Sequence, residues 1–188
     1  MLKRLKKAPK SVQILFDELI EDLEDKGPVQ YQWPNYSKLG RFKYHCHLCY
    51  SWVACWVCES KSIKMRFIML VVEKAHHIEA NITGAGTEII IDLIKESFPK
   101  ADILKDPDEA VNWNTSDLSI EIKADKTPGK LLKAYRYRAE LSVVELADAA
   151  GTKYPNISAM ENDRRIIGLK MAKKLGKVLK VDYIKFLA

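Results

Sequence analysis

The chain has 188 residues and a formal charge of +6, from 31 basic and 25 acidic side chains. Hydrophobic residues at 47% give apolar mass for a core, which excludes a disordered tail. No apolar run reaches the ~18 residues of a spanning helix, so no membrane partner is expected. The basic start, Met1–Lys10, leads into an apolar patch broken by Asp17 and Glu18, unlike a secretory signal, and a cytoplasmic protein is expected.

In chain order, Ser11 to Lys26 predicts a helix. Val12, Leu15, Phe16, Leu19, Ile20 and Leu23 form a 3.6-type stripe with the acids on the other face. Ser11 is the expected N-cap and Gly27-Pro28 the stop. Tyr31, Trp33, Pro34 and Tyr36 mark an irregular aromatic stretch. Phe42 to Glu59 alternates and predicts two strands with a turn near Tyr50-Ser51. Ser62 to Val72 is a further strand candidate with a poor polarity pattern. Residues 80–87 read as a linker, and Glu88 to Phe98, ended by Pro99, as a strand or short helix. A strand is expected at Leu118 to Ile122.

From Thr127-Pro128-Gly129 onward the pattern is helical. A first helix is expected over Gly129–Glu140. Ser142 with Glu145 three residues on forms a capping box for a second helix carrying Val144, Leu146, Ala147 and Ala150. Gly151 follows where the turn requires positive φ. Asn156 to Asn162 predicts a third helix behind Pro155, with Ile157 and Met160 facing the core. Gly168–Leu179 predicts a fourth, and Asp182 caps a fifth.

Charge is uneven along the chain. Residues 1–83 carry 13 basic and 9 acidic side chains, 84–127 carry 5 and 10, and 128–188 carry 13 and 6. Basic ends suit nucleic acid, and an acidic middle suits a basic protein surface.

The C-terminal helices resemble the Cro-repressor type of helix-turn-helix, a lambda-repressor-like all-α domain of five helices. Leu141, Ser142, Glu145, Leu146, Ala147, Gly151, Asn156, Ile157, Ser158, Glu161 and the run Met171–Leu175 carry the resemblance. It implies that the helix after Gly151 enters the major groove. Lys153, Tyr154, Asn156 and Ser158 would then stand at base edges, with Lys153 and Asn156 able to hydrogen-bond bases. Thr152 or Ser158 would hold phosphate, and Arg164 and Arg165 would reach the backbone. The implied partner is a palindromic operator DNA bound by a homodimer. Tyr154-Pro155 stand where the family often has Ser or Thr, which leaves the base preference open.

Tyr31 to Leu39, Phe42 to Leu48 and Trp52 to Trp56 resemble RelE/HigB-type toxins, which imply helices on a small antiparallel sheet and metal-independent cleavage of mRNA on the ribosome. Such chemistry needs cations for phosphate and a base for the 2′-hydroxyl. Lys38, Lys43, His45 and His47 are the catalytic candidates, and the two histidines share one strand face. The resemblance breaks at Met65–Glu79. Suitable codons for that tract, read in the shifted frame, spell a Glu-Val-Tyr-Tyr-Val strand and then a stop, so a frameshift joining a toxin gene to an antitoxin gene is one expectation. Glu88 to Lys126, with Val111-Asn112-Trp113 and with Thr127-Pro128-Gly129 leading into the helices, resembles the N-terminal part of such antitoxins, and would either clamp a toxin or pack on the helical domain.

Cys46, Cys49, Cys55 and Cys58 have metal-like spacing, but pairs three apart point to opposite strand faces. No cofactor is expected, with zinc as the alternative. The whole is expected to be α+β, divided at 1–83, 84–127 and 128–188. The expected function is a DNA-binding, antitoxin-type autorepressor fused to a toxin module of weak or absent activity. The alternative is a ribosome-dependent mRNA endonuclease held inactive by the fused antitoxin.

Overall fold

The structure, a computed structural model, describes residues 2–39, 43–59, 66–73, 87–97 and 112–187. The chain is mixed α+β and divides into two compact units. One joins residues 1–74 to 113–188 and the other comprises residues 75–112.

The larger unit begins with helix α1 (Leu2–Lys7), which the sequence had not indicated, and α2 (Lys10–Lys26). Ser11 is not the N-cap. Pro9 holds that position at φ −52° and ψ 145°, and its fixed φ ends one helix and starts the next without a side-chain cap. The amide of Gln13 closes the junction, donating to the carbonyls of Leu5, Lys6 and Ala8 at 3.2, 3.2 and 3.0 Å. Gly27, at φ 80°, stops α2 as expected.

The sheet is antiparallel in the order β1 (Ser37–Lys38), β2 (Lys43–Cys49), β3 (Trp52–Glu59) and β4 (Arg66–Glu73). The turn at Tyr50-Ser51 joins β2 to β3. Alternation puts Tyr44, Cys46 and Leu48 of β2, and Trp52, Ala54, Trp56 and Cys58 of β3, on the buried face. Tyr44 and Trp56 stack with ring centroids 5.9 Å apart, and the Trp56 indole donates to the Pro28 carbonyl at 3.2 Å. Residues 66–73 of the tract where the toxin resemblance breaks form β4, paired with β3 from Glu59↔Arg66 to Trp52↔Glu73. The rest of that tract, residues 80–86 of the expected linker, and Pro99 lie outside the described residues.

The expected strand at Leu118–Ile122 is instead helix α4 (Asp117–Asp125). Ser116 caps it by accepting from the Ser119 N–H, and the i,i+4 pair Leu118 and Ile122 is buried, a spacing that a strand would place on one face and a helix places on one stripe. Trp113, in a 3-10 turn just before it, is buried edge-on to Phe16 with ring centroids 4.9 Å apart.

Helix α2 is the hub, packing against β2, α4 and α5 (Pro128–Arg138). Its acids do not all face solvent as the periodicity suggested: Asp17, Glu18 and Asp22 are buried. Asp17 accepts from the Trp113 indole at 2.9 Å and from Lys126 at 3.0 Å. Glu18 takes Lys126 at 2.6 Å, and also Lys185 and the Tyr135 hydroxyl. Asp22 takes the Trp33 indole at 2.8 Å and Lys26 at 2.7 Å. Arg138 lies over the rings of Trp33 and Tyr135, with its guanidinium carbon 4.9 and 4.5 Å from the ring centroids. Buried charge is tolerated only when paired and hydrogen-bonded, and these partners, up to 167 residues away, supply that pairing.

The second unit contains helix α3 (Thr87–Ser97), which resolves the choice between strand and short helix. Ile89, Ile90 and Leu93 on it are exposed.

Candidate nucleic-acid interface

Residues 128–187 form α5, α6 (Val143–Ala149), α7 (Tyr154–Glu161), α8 (Leu169–Leu179) and a 3-10 turn over Tyr183–Phe186, which stands where a fifth helix was expected. Asp182 caps that turn, accepting from the Ile184 N–H at 3.0 Å. Leu132, Ala134, Tyr135, Leu146, Ala147, Ile157, Met160, Ala172, Leu175, Leu179 and Phe186 are buried among these helices. Ile157 and Met160 thus face the core as predicted.

The capping box at α6 is present in full. The Glu145 N–H donates to Ser142 Oγ at 3.1 Å, and the Ser142 N–H donates to Glu145 Oε2 at 2.7 Å. These bonds hold the Glu145 carboxyl below the usual glutamate value. The turn to α7 is a Schellman motif: Thr152 N–H bonds Ala147 O at 2.9 Å and Gly151 N–H bonds Asp148 O at 3.0 Å, with Gly151 at φ 62°. Helix α7 starts at Tyr154, two residues before the predicted start, with Lys153 as N-cap and Pro155 in its first turn. Pro155 tolerates that place because the first-turn N–H groups have no helical partner.

Three further helix ends use positive φ without glycine: Glu140 after α5, Asp163 after α7 and Lys180 after α8, at φ 58°, 54° and 54°. Asp163 also works through its side chain. Its Oδ2 accepts from Thr127 Oγ1 at 2.5 Å and its Oδ1 from Gly129 N–H at 3.0 Å, tying the end of α7 to the start of α5. Gly129 is required there, since a Cβ would stand 2.2 Å from the Met160 carbonyl oxygen. A second tie is Arg136, whose Nε and NH2 donate to the two oxygens of Glu161 at 2.6 and 2.9 Å while NH1 donates to Leu141 O at 2.9 Å. The Glu161 carboxylate raises the guanidinium pKa. Both side chains are buried, and the bidentate pair fixes α7 against α5 and the approach to α6. No local sequence pattern marks Arg136 or Asp163. Glu161 carries part of the family resemblance, but no local pattern names its partner 25 residues away.

The residues left outward by this packing are the predicted contact set. Lys153, Tyr154, Arg164 and Arg165 are exposed, and Thr152, Asn156 and Ser158 are half-buried. Lys170, Lys173, Lys174 and Lys177 on α8 are exposed as well. Asn156 Nδ2 donates to Thr152 Oγ1 at 3.0 Å, and Arg165 NH1 donates to Asn156 Oδ1 at 2.9 Å.

The other predicted sites are only partly assembled. Lys43, His45 and His47 share one face of β2, and the imidazole centroids are 5.9 Å apart. His45 Nδ1 is bonded to Ser37 Oγ at 2.9 Å, and His47 Nδ1 to Asn35 Nδ2 at 2.8 Å. Lys38 pairs across from Tyr44, which places it on the opposite face. The four cysteines are not gathered: Cys46 and Cys58 are buried, Cys49 lies partly buried against the core opposite Trp52 after the register irregularity at His47–Cys49, and Cys55 pairs across from His45 on the other face. Strand alternation separates Cys55 from Cys46 and Cys58, and burial pushes the Cys46 thiol pKa up. Among the described residues no group of three His, Cys, Asp or Glu side chains could hold a metal, and no helix is long and apolar enough to cross a membrane.

Comparison with the curated proteins gives no match to this chain, and comparison with the solved structures gives none. Comparison with protein families matches residues 132–186 to helix-turn-helix, which covers α5 from Leu132 through the last 3-10 turn and supports a DNA-binding role. Residues 132–186 are a helix-turn-helix domain of the Cro/C1 type.

Proposed function

We propose that this chain is a transcriptional regulator of antitoxin type that binds a palindromic operator as a homodimer, with α7 in the major groove. The observation that carries this reading is the outward face of α7. The Schellman turn at Gly151 and the Arg136–Glu161 pair present Lys153, Tyr154, Ser158, Arg164 and Arg165 from one short helix and the turn after it. In a groove, Lys153 meets base edges, Thr152 and Ser158 meet phosphate, and the two arginines follow the backbone. The half-sites lie about one helical turn apart.

The test is a gel-shift of the folded chain on duplex DNA from upstream of its own coding sequence. Retardation at low salt that fades steeply as salt rises is the expected outcome. No retardation at low salt rejects the proposal.

A second reading, a ribosome-dependent mRNA endonuclease carried by residues 1–83 and held inactive by the fused antitoxin, is favoured by Lys43, His45 and His47 sharing one face beside β1. Its toxin resemblance also underlies the proposed fusion of a toxin module to an antitoxin. Expression of residues 1–83 alone, without the antitoxin part, tests it: growth arrest with mRNA cleavage, lost in His45→Ala and His47→Ala, supports it, and unimpaired growth with the folded fragment present removes it. The coding DNA tests the fusion, since a third frame from Met65 without a Glu-Val-Tyr-Tyr-Val run rejects the frameshift.

A further inference from the structure

Asn156 was expected to read a base, yet both ends of its amide are engaged inside the protein. Its Oδ1 accepts from Arg165 and its Nδ2 donates to Thr152 Oγ1. The orientation follows from chemistry, because Arg165 has only donors and the amide atom facing it must be the oxygen. The backbone delivers Arg165 to this place. Asp163 at φ 54° reverses the chain after α7, and the N–H groups of Arg164 and Arg165 both donate to Ala159 O, at 2.9 and 3.2 Å. The Arg165 side chain then runs back along α7 to a residue nine positions earlier. Bidentate recognition of adenine needs the amide oxygen and N–H of Asn free together, and here the oxygen is held by a charged donor.

We infer that Asn156 is a positioning residue, which fixes the Arg165 guanidinium beside the first turns of α7 for contact with a DNA phosphate and does not itself read a base. This rests on the DNA-binding reading above. Thr152 is the third member: by accepting from Nδ2 it sets the amide plane, which turns Oδ1 toward Arg165. A long arginine side chain held in place before binding loses less freedom on contact than a free one.

The experiment uses the full chain, a mixed-sequence 30-base-pair duplex titrated at stepped salt, and enrichment from a pool of randomised duplexes. Arg165→Ala weakens binding about tenfold and lowers the slope of log affinity against log salt by about 0.9, the value of one phosphate contact. Asn156→Ala removes no charge, yet it lowers that slope most of the way toward the Arg165→Ala value. The double variant binds no worse than Arg165→Ala alone, and the enriched sequence is unchanged in Asn156→Ala. Thr152→Val moves the slope the same way by less, and Thr152→Ser restores it. An Asn156→Ala slope equal to that of the unmodified chain, an additive double variant, or a changed base preference overturns the inference while leaving DNA binding intact. If the unmodified folded chain holds no duplex even at low salt, the DNA-binding reading and this inference fall together.

Discussion

The two ends of the larger unit use charge in opposite ways. On α2 the acids Asp17, Glu18 and Asp22 are inside, each held by a cation or an indole N–H from another element. On α7, the turn after it and α8, the bases Lys153, Arg164, Arg165, Lys170 and Lys174 are outside. A buried carboxylate stabilises only the one arrangement that supplies its partners, so the acids decide how the layers fit. An exposed lysine constrains the fold very little and is left to act on a partner. The +6 of the whole chain hides this division of labour.

The comparison breaks or sharpens on measurements of stability set beside measurements of binding. The largest effect is expected from Glu18→Ala, which takes the carboxylate from Lys185 and the Tyr135 hydroxyl and one of three acids from Lys126. Chemical denaturation should show a loss of about 3–5 kcal/mol, with the DNA salt slope unchanged where the protein remains folded. Gly129→Ala is next. Its new Cβ drives into the Met160 carbonyl and displaces Asp163, at about 1–3 kcal/mol.

The acidic seam also titrates. Burial pushes Glu18 up, but Lys185, Lys126 and Tyr135 outweigh burial and leave its pKa below the ordinary value. At Asp22 burial is likewise outweighed, by Lys26 and Trp33. Depressed folded-state values stabilise the protein above the unfolded pKa values of about 4.3 and 3.9. That contribution disappears as pH falls through the lowered folded values. Unfolding midpoints should therefore be flat near neutrality and drop below about pH 4, and Glu18→Gln should flatten that acid limb.

Ser142→Ala removes one half of the capping box and should cost about 1 kcal/mol. The smallest effect on stability belongs to Lys153→Ala, within about 0.5 kcal/mol, although it should lower the salt slope by about 0.9. A Lys153→Ala loss as large as that of Glu18→Ala would end the distinction between the two ends.

Elements with local signals were legible. The pair Ser142 and Glu145 closes within four residues, Gly151 and Gly27 mark their turns by lacking a side chain, and β2 and β3 alternate cleanly around Tyr50-Ser51. Boundaries failed where the signal was absent or shared. Glu140 and Asp163 end helices at positive φ with no glycine to announce it, whereas the expected end of α8 at Leu179 holds with Lys180 at positive φ behind it. Leu118, Ile120 and Ile122 suggest a strand by alternation, but Ile120 is exposed and the Ser116 cap with the Leu118–Ile122 stripe makes a helix. The candidate contact residues were legible as a set because one short helix and its turns carry them. The engagement of Asn156 was not, because Arg165 reaches it only through the reversal at Asp163.

By itself the sequence determined which segments are helical or extended where caps, glycines and periodicity act within a few residues. It also determined that the basic C-terminal helices carry the helix-turn-helix. Only the tertiary structure decided that three acids of α2 lie inside and that Arg136 and Asp163 lock α7 to α5. It likewise decided that Arg165 engages Asn156. The physical reason is range. Backbone hydrogen bonds and capping are short-range and leave a local trace, whereas the partner that makes a buried charge tolerable comes from anywhere in the chain.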